Sequence, residues 1–275
     1  MHWQTISLFL SSALLAAPLV AMDNAIANPT AIAQSPPPNV QVARARTSRG
    51  PITFNPPRRG APPATIGLGS RGDCLENRQD TLRVLAPNAD IAALPGSSSL
   101  GLTTEAYPSL FVYVPAYQTS AQGLSLRLMQ VASSDREVEL YHQTFALPST
   151  AGIVQLQPAP SQIPALQIGQ QYHWYVSMVC SSVDQSGNPV IEGWTERISP
   201  DQTLSAQLHG ATPLDKAMLY GQAGIWQDTL TTLAELRRAY PNDPTLRDNW
   251  RELLQSVGLG AIANAPLLDC CQPLD

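Results

Sequence analysis

The sequence predicts a mainly β protein with α-helices at its C-terminal end, as an immunoglobulin-like or fibronectin-III-like β-sandwich followed by a short helical cap. Short alternating apolar runs, separated by Pro, Gly, Ser and Asn, occupy residues 82–199, which is typical of sandwiches. Helical periodicity begins after Ser199. The segment before the first strand is rich in Pro and Arg. A mixed α+β sheet is the alternative.

Residues 1–33 have the pattern of a secretory signal peptide. The apolar stretch Ile6–Val20 is shorter than the roughly 20 residues that a spanning helix needs. Small-x-small sites end at Ala27 and Ala33, and we expect cleavage after Ala33, or otherwise after Ala27. No Lys or Arg precedes the apolar stretch, so an uncleaved anchor is the alternative. The predicted location is the periplasm or the extracellular space.

Residues 34–64 are predicted to be a disordered, Pro/Arg-rich linker, because proline favours extended, solvated backbone. Residues 34–72 contain six Arg and no Asp or Glu, whereas residues 73–275 contain ten basic and twenty acidic residues. Such a cationic segment could bind an anionic surface, or it could be only a solvated linker. The candidate contacts to an anionic partner are Arg44, Arg46, Arg49, Arg58 and Arg59.

Residues 65–200 are predicted to form the β-sandwich domain. Its clearest strand is residues 171–180, where Tyr172 and Trp174 face one side and His173 and Tyr175 the other. A Gly-Asn-Pro turn then predicts a hairpin into the next strand. The seven predicted strands are 82–85, 110–114, 124–130, 138–145, 152–156, 171–180 and 190–198.

Residues 201–275 are predicted to form a helical C-terminal subdomain. Ser199-Pro200 and Thr212-Pro213 each place a capping side chain before a proline. We expect helices near 200–209, 213–222, 225–239 and 244–257. The positions that resemble a tetratricopeptide unit are Tyr220, Gly224, Trp226, Leu230 and Pro241. Because only about one and a half units are present and stacks need three or more, we expect a cap on the β-domain rather than an independent peptide groove.

Four cysteines are present, and three fully paired connectivities exist. We predict a Cys74–Cys180 disulfide that joins the start of the domain to the strongest strand, with free buried thiols as the alternative. The adjacent Cys270 and Cys271 could form a vicinal disulfide, pair between molecules or stay reduced. No metal site is predicted, because the cysteines lack C-x-x-C spacing and a nearby histidine.

Several motifs do not support catalysis. Gly67–Gly72 matches G-x-G-x-x-G, but it lacks the preceding strand and following helix of a dinucleotide site, so no cofactor is predicted. His142 and His173 lie on predicted strands and could face each other. Glu137 and Glu139 share one strand face, which is expected to be solvated. No catalytic residue is assigned.

Several segments together resemble an exported cyanobacterial family known as domain of unknown function number 928. The segments that carry the resemblance include Phe54-Asn55-Pro56-Pro57, Gly69-Ser70-Arg71-Gly72, Leu110–Pro115, Tyr172-His173-Trp174, Gly193-Trp194, Gly224–Asp228 and Ser256–Leu259. The resemblance covers about residues 54–268 and implies a compartment and a lineage, but no activity and no functional residues. Cys270 and Cys271 lie outside it.

These observations lead to one expected function and two alternatives. We expect a non-enzymatic cell-envelope protein that binds a protein or glycan partner, with no nucleic acid partner. The alternatives are an enzyme, such as a hydrolase, with an unrecognised site, and a scaffold that acts through its cationic segment. The oligomeric state does not follow from the sequence.

Overall fold

A computed structural model of the 275-residue chain describes residues 50–57, 74–77, 79–87, 100–131 and 136–274. The expected signal peptide, the glycine motif at 67–72 and the five candidate arginines lie outside these residues. The described part is mainly β with C-terminal α-helices, as the sequence predicts. The strands are β1 (Arg83–Val84), β2 (Leu100–Thr103), β3 (Leu110–Val114), β4 (Gly123–Val131), β5 (Glu137–Phe145), β6 (Gly152–Leu156), β7 (Gln171–Val179) and β8 (Val190–Arg197).

The larger sheet has five strands in the order β2-β8-β7-β4-β5. All pairs in it are antiparallel except β2 with β8, where Leu100 pairs with Trp194 in a parallel ladder. Strand β2 is not among the predicted strands, because four residues that include Gly101 carry little periodic signal. The other strands agree with the predicted strands to within about two residues, the usual uncertainty of strand and helix ends.

The smaller sheet, β1-β3-β6, lies between the larger sheet and the helices. Residues 110, 112 and 114 of β3 share a core with Trp174, Val176 and Met178 of the larger sheet. Phe111 and Ile153 on its opposite face belong to a second core with the helices. Burial on both faces explains why β3 reads as the unbroken apolar run LFVYV.

Four helices follow the sheets: α1 (Gln202–Leu208), α2 (Pro213–Gln222), α3 (Trp226–Ala239) and α4 (Pro244–Ser256). Asp201, Thr212 and Asp243 accept backbone hydrogen bonds at the starts of α1, α2 and α4. Asp201, and not Ser199, caps α1, so the helix begins at Gln202, two residues after the predicted position. In the described residues no helix is both long and apolar enough to cross a membrane.

Tryptophans join the helices to the smaller sheet. Trp226 Nε1 donates a 2.6 Å hydrogen bond to the carbonyl oxygen of Leu85. Trp250 packs edge-on against Phe111 at a centroid distance of 6.3 Å. Both indole rings are 1% exposed, so the helical layer completes a shared hydrophobic core, as expected of a cap.

Residues 50–57, which we call the N-terminal segment, run across this helical layer. Ile52 N donates to Asn249 Oδ1 at 3.0 Å, and Asn55 N donates to the carbonyl oxygen of Gly221 at 3.0 Å. Phe54 contacts Trp226 edge-on at 4.8 Å. The expectation of a disordered linker is therefore wrong for these eight residues, because two apolar side chains and two backbone donors find partners on the helices.

Residues 266–274, which we call the C-terminal tail, connect the two sheets at one side of the molecule. Leu267 forms a parallel bridge with Ile153 of β6, and Pro273 forms an antiparallel bridge with Phe145 of β5. The tail therefore pairs with one outer strand of each sheet. Arg238 of α3 holds the tail through a 2.7 Å ion pair with Asp269.

The structure confirms the predicted Cys74–Cys180 disulfide, whose Cα atoms are 5.4 Å apart. Cys74 is 1% exposed and lies in the core between the sheets. Of the states that the sequence left open for Cys270 and Cys271, the structure contains the vicinal disulfide.

Candidate functional site

The outer face of the larger sheet, which points away from the smaller sheet, carries most of the polar side chains of its strands. Strand register places these side chains in neighbouring rows. The first row is Thr144, Ser125, Ser177 and Val190; the second is His142, Arg127, Tyr175 and Glu192; the third is Glu139, Met129, His173 and Trp194. Four adjacent strands, β5, β4, β7 and β8, thus present hydroxyl, guanidinium, imidazole and carboxylate groups on one surface.

A β-bulge in β5 makes this surface possible. Leu128 pairs with Tyr141 while the next residue, Met129, pairs with Glu139, so Leu140 is an extra residue without a partner. The bulge shifts the alternation of β5 by one residue. His142 and Glu139, an odd number of positions apart, consequently both lie on the outer face, while Tyr141 stays in the core.

His173 is the centre of a buried polar network on this face. Its Nδ1 lies 2.5 Å from Glu137 Oε1 and 2.9 Å from the Tyr175 hydroxyl, which also donates to Glu137 Oε2 at 3.1 Å. On the other side, Nε2 lies 3.2 Å from Glu192 Oε2, in an orientation that is poor for a hydrogen bond. The ring stacks on Trp194 at 4.0 Å.

This network positions groups rather than exposing a base. The His173 side chain is 0% exposed, whereas that of Glu137 is 28% exposed. An external ligand can therefore reach Glu137 and not the imidazole. The buried histidine and the Tyr175 hydroxyl fix the Glu137 carboxylate, which reduces the conformational entropy that a ligand contact would otherwise cost.

A depression of about 560 Å³ lies on this face, within the size range of small-ligand sites. Most of its lining side chains are polar, with Met129, Val179 and Val190 as the apolar exceptions. The polar lining residues are Ser125, Arg127, Glu137, His142, Thr144, Tyr175, Ser177, Ser182, Gln185 and Asn188. Ser125 Oγ lies 3.0 Å from His142 Nε2.

Large exposed apolar side chains in the described residues are scattered and do not line the depression. They are Val138, Ile168, Val183, Tyr240 and Leu274. A stable protein–protein interface usually has an apolar, aromatic centre. The depression instead offers many hydrogen-bond donors and acceptors, which favours a hydroxyl-rich ligand.

A second concavity of about 430 Å³ lies between β2 and helices α2 and α3. Its buried carboxylate, Asp228, accepts hydrogen bonds from the Thr103 hydroxyl at 2.7 Å and from both the backbone and the hydroxyl of Thr104. Burial raises the pKa of Asp228 above its ordinary value, although these hydrogen bonds act in the opposite direction. Burial, and then the charge of Asp228, raise the pKa of Tyr220. Because the Asp228 carboxylate already accepts hydrogen bonds from Thr103 and Thr104, its role here is to join α3 to the end of β2.

The sequence analysis found part of the outer-face site. Glu137, Glu139, His142 and His173 share the outer face, but β4 separates the strands of the two histidines. Alternation placed Tyr175 beside His173 but gave it no role in a site, and Arg127, which alternation in β4 would have placed beside them, was missed. A partly buried structural histidine was expected for His142 and His173, and the His173 side chain is in fact 0% exposed. No group of His, Cys, Asp or Glu within the described residues is arranged to hold a metal ion.

The fold and the site define a two-sheet protein with a helical layer and a polar depression on the outer face of its larger sheet. A family model described as Domain of Unknown Function (DUF928) matches residues 66–267. The chain therefore belongs to the DUF928 family, as the resemblance predicts. Neither a curated protein nor a solved structure matches the chain significantly.

Proposed function

We propose that this DUF928 protein is an exported, non-enzymatic cell-envelope protein that binds a glycan in the depression on the outer face of its larger sheet. The observation that carries the proposal is the depression itself, with ten polar lining side chains, seven on adjacent strands and three in the loop between β7 and β8. The signal-peptide pattern of residues 1–33 supports export. The Cys74–Cys180 bond supports an oxidising compartment, where disulfides persist.

The chemistry of the lining suits a pyranose chain better than a protein surface. Arg127 donates only, Glu137 accepts only, and the serines do both, so vicinal sugar hydroxyls find complementary partners. Charge-assisted hydrogen bonds from the guanidinium and the carboxylate are stronger than neutral ones. Tyr175 adds a rigid flat surface at the centre of the depression.

The finer assignments form part of the same proposal. We propose a cyanobacterial, periplasmic or extracellular protein with a signal peptide at 1–33. Of the expected linker at 34–64, we propose a linker only for residues 34–49 and 58–64, outside the docked N-terminal segment. A sandwich of immunoglobulin or fibronectin type III character at 65–200 and a TPR-like cap at 201–275 complete the chain. Two packed sheets and the helix pair α2–α3 support these assignments.

Arg127→Ala tests the glycan site most directly, because the Arg127 side chain is 49% exposed and its loss removes donors from the depression. Oligosaccharides released from cell-envelope polysaccharide are titrated calorimetrically into the intact protein. We expect at least about a tenfold loss of affinity, the usual effect of removing one charged hydrogen-bonding partner.

Arg247→Ala is the matched control, because this 67% exposed side chain lies on α4 and pairs only with neighbouring Asp248 among the described residues. The Arg247→Ala variant should bind the oligosaccharides with the same affinity as the wild type. Equal loss in both arginine variants, or no binding of any oligosaccharide by the wild type, would refute the glycan proposal.

Two further experiments on this protein test the two alternative functions. A scaffold that acts through its cationic segment would lose salt-sensitive binding to anionic envelope fractions when residues 34–49 are deleted. This deletion ends before the docked N-terminal segment and removes Arg44, Arg46 and Arg49. Turnover of the bound oligosaccharide would instead indicate an enzyme, with Glu137 as the reachable carboxylate.

A further inference from the structure

The C-terminal tail changes partner at the vicinal disulfide. Before it, Leu268 N donates to the carbonyl oxygen of Ile153 in β6 at 2.8 Å. After it, the carbonyl oxygen of Gln272 accepts from Ala146 N at 2.9 Å, and Leu274 N donates to Thr144 O at 2.7 Å. Cys270 and Cys271 thus form the corner at which the tail passes from the smaller sheet to the larger one.

This corner has an unusual backbone. Cys271 has a φ of 81°, and it is the only non-glycine residue with a positive φ in the described part of the chain. Residues with a Cβ rarely adopt this conformation. The disulfide ring joins the two side chains and so restricts the backbone of both residues to a small set of conformations that includes this one.

The two disulfides have different consequences for the fold. Cys74–Cys180 joins residues 106 positions apart, so it removes much conformational freedom from the unfolded chain. Cys270–Cys271 joins neighbours and closes no loop. It constrains the direction of the corner, where Cys271 also packs into the core between the sheets. Because it closes no loop, it can open without unfolding the two sheets.

We propose that the Cys270–Cys271 disulfide controls the ligand site, and that its reduction releases residues 272–274 from β5. This inference rests on the proposed function, because β5 contributes Glu137, His142 and Thr144 to the glycan depression. When the ring opens, Cys271 relaxes to a negative φ and the last residues of the tail turn away from β5. The outer strand of the site then loses its neighbour.

The chemistry requires a dithiol reductant, such as a thioredoxin-like exported protein. One of its thiolates attacks Sγ of Cys270, the more exposed member of the pair, and Cys271 leaves as a thiolate that takes up a proton. The second thiol of the reductant then displaces Cys270, which is also protonated. Two electrons and two protons pass to the protein, and the reductant becomes a disulfide.

A stepwise reduction of the intact, oxidised protein with dithiothreitol tests the first part of the proposal. Newly formed thiols are alkylated and located by mass spectrometry. We expect Cys270 and Cys271 to be modified first, while Cys74, which is 1% exposed, stays bonded. Earlier or simultaneous opening of the Cys74–Cys180 disulfide would overturn the proposal.

Hydrogen exchange tests the release of the tail without reference to any ligand. On reduction, and in a Cys270→Ser/Cys271→Ser variant, the amides of Ala146 and Leu274 should exchange at least about tenfold faster. Leu268, which lies before the corner, should be unchanged and serves as an internal control. Unchanged exchange at Ala146 and Leu274 in both cases would overturn the release of the tail.

Asp269→Asn is the control for a general weakening of the corner, because it removes the ion pair to Arg238 and keeps the ring. We expect protection of Ala146 and Leu274 to remain. Loss of protection in this variant as large as in the serine variant would overturn a specific role for the disulfide.

Oligosaccharide titration in both redox states tests the effect on the site. We expect at least about tenfold weaker binding by the reduced protein. Equal affinity in the two states, with faster exchange in the reduced one, would overturn control of the site. If no oligosaccharide binds in either state, the glycan proposal and the proposed redox control of the glycan site are both refuted. The hydrogen-exchange result still decides whether reduction releases the tail.

Discussion

Replacing Cys74 and Cys180 by alanine should lower the stability of the fold by several kcal/mol. The two residues are 106 positions apart, and the chain-entropy relation for a loop of that length gives about 4.8 kcal/mol at 25 °C. For about 200 folded residues the unfolding entropy is roughly 0.4 kcal/mol/K, so the melting temperature should fall by about 10 °C. Alanine avoids placing a new polar group in the buried position of Cys74.

Scanning calorimetry of the oxidised proteins measures this difference. A Cys270→Ala/Cys271→Ala variant is the matched control, because its disulfide joins adjacent residues and closes no loop. We expect its melting temperature to fall by only a few degrees. Equal decreases in the two double variants would show that loop closure is not the source of the stability, and the reasoning would be refuted.

Three further changes test the fold. Asp228→Asn removes a carboxyl group whose pKa is raised above 3.8 by burial in the folded protein. The folded state therefore binds the carboxyl proton more tightly than the unfolded state does. As pH rises above about 4, the wild type should lose stability relative to the variant. Urea unfolding at several pH values measures this, and a pH-independent difference would contradict it. Gly193→Ala places a Cβ 2.2 Å from the Trp174 ring and should cost about 1–3 kcal/mol in the same assay, whereas Gly50→Ala, which meets nothing, should be neutral. Truncation after Asn264 uncovers β5 and β6 and should cause aggregation, detected by light scattering; a truncated protein as soluble as the intact one would contradict this role of the tail.

Local patterns predicted the parts of the fold that depend on neighbours in the chain. Alternation in β7 placed Tyr172 and Trp174 on one face of the strand, and in the structure each of them is 1% exposed. Pro at the first helical position marked α2. These features depend on residues within one or two turns of each other, so a single sequence contains the information.

Features that depend on distant partners were missed. Strand β2 exists because β8, more than 90 positions later, pairs with it. The N-terminal segment is ordered because α2, α3 and α4 receive Ile52 and Phe54, against the preference of its prolines. The burial of His173 depends on Glu137, Glu192 and Trp194 from other strands. No local period encodes such pairings.

The separation between Ile52 and Asn249, 197 positions along the chain, has a consequence for biogenesis. Contacts between residues so far apart in the sequence form late, because the intervening chain must first be ordered. Residues that leave the ribosome early therefore wait for helix α4 before their backbone donors are satisfied. The core that Ile52 shares with the helices is therefore completed only after helix α4 has left the ribosome.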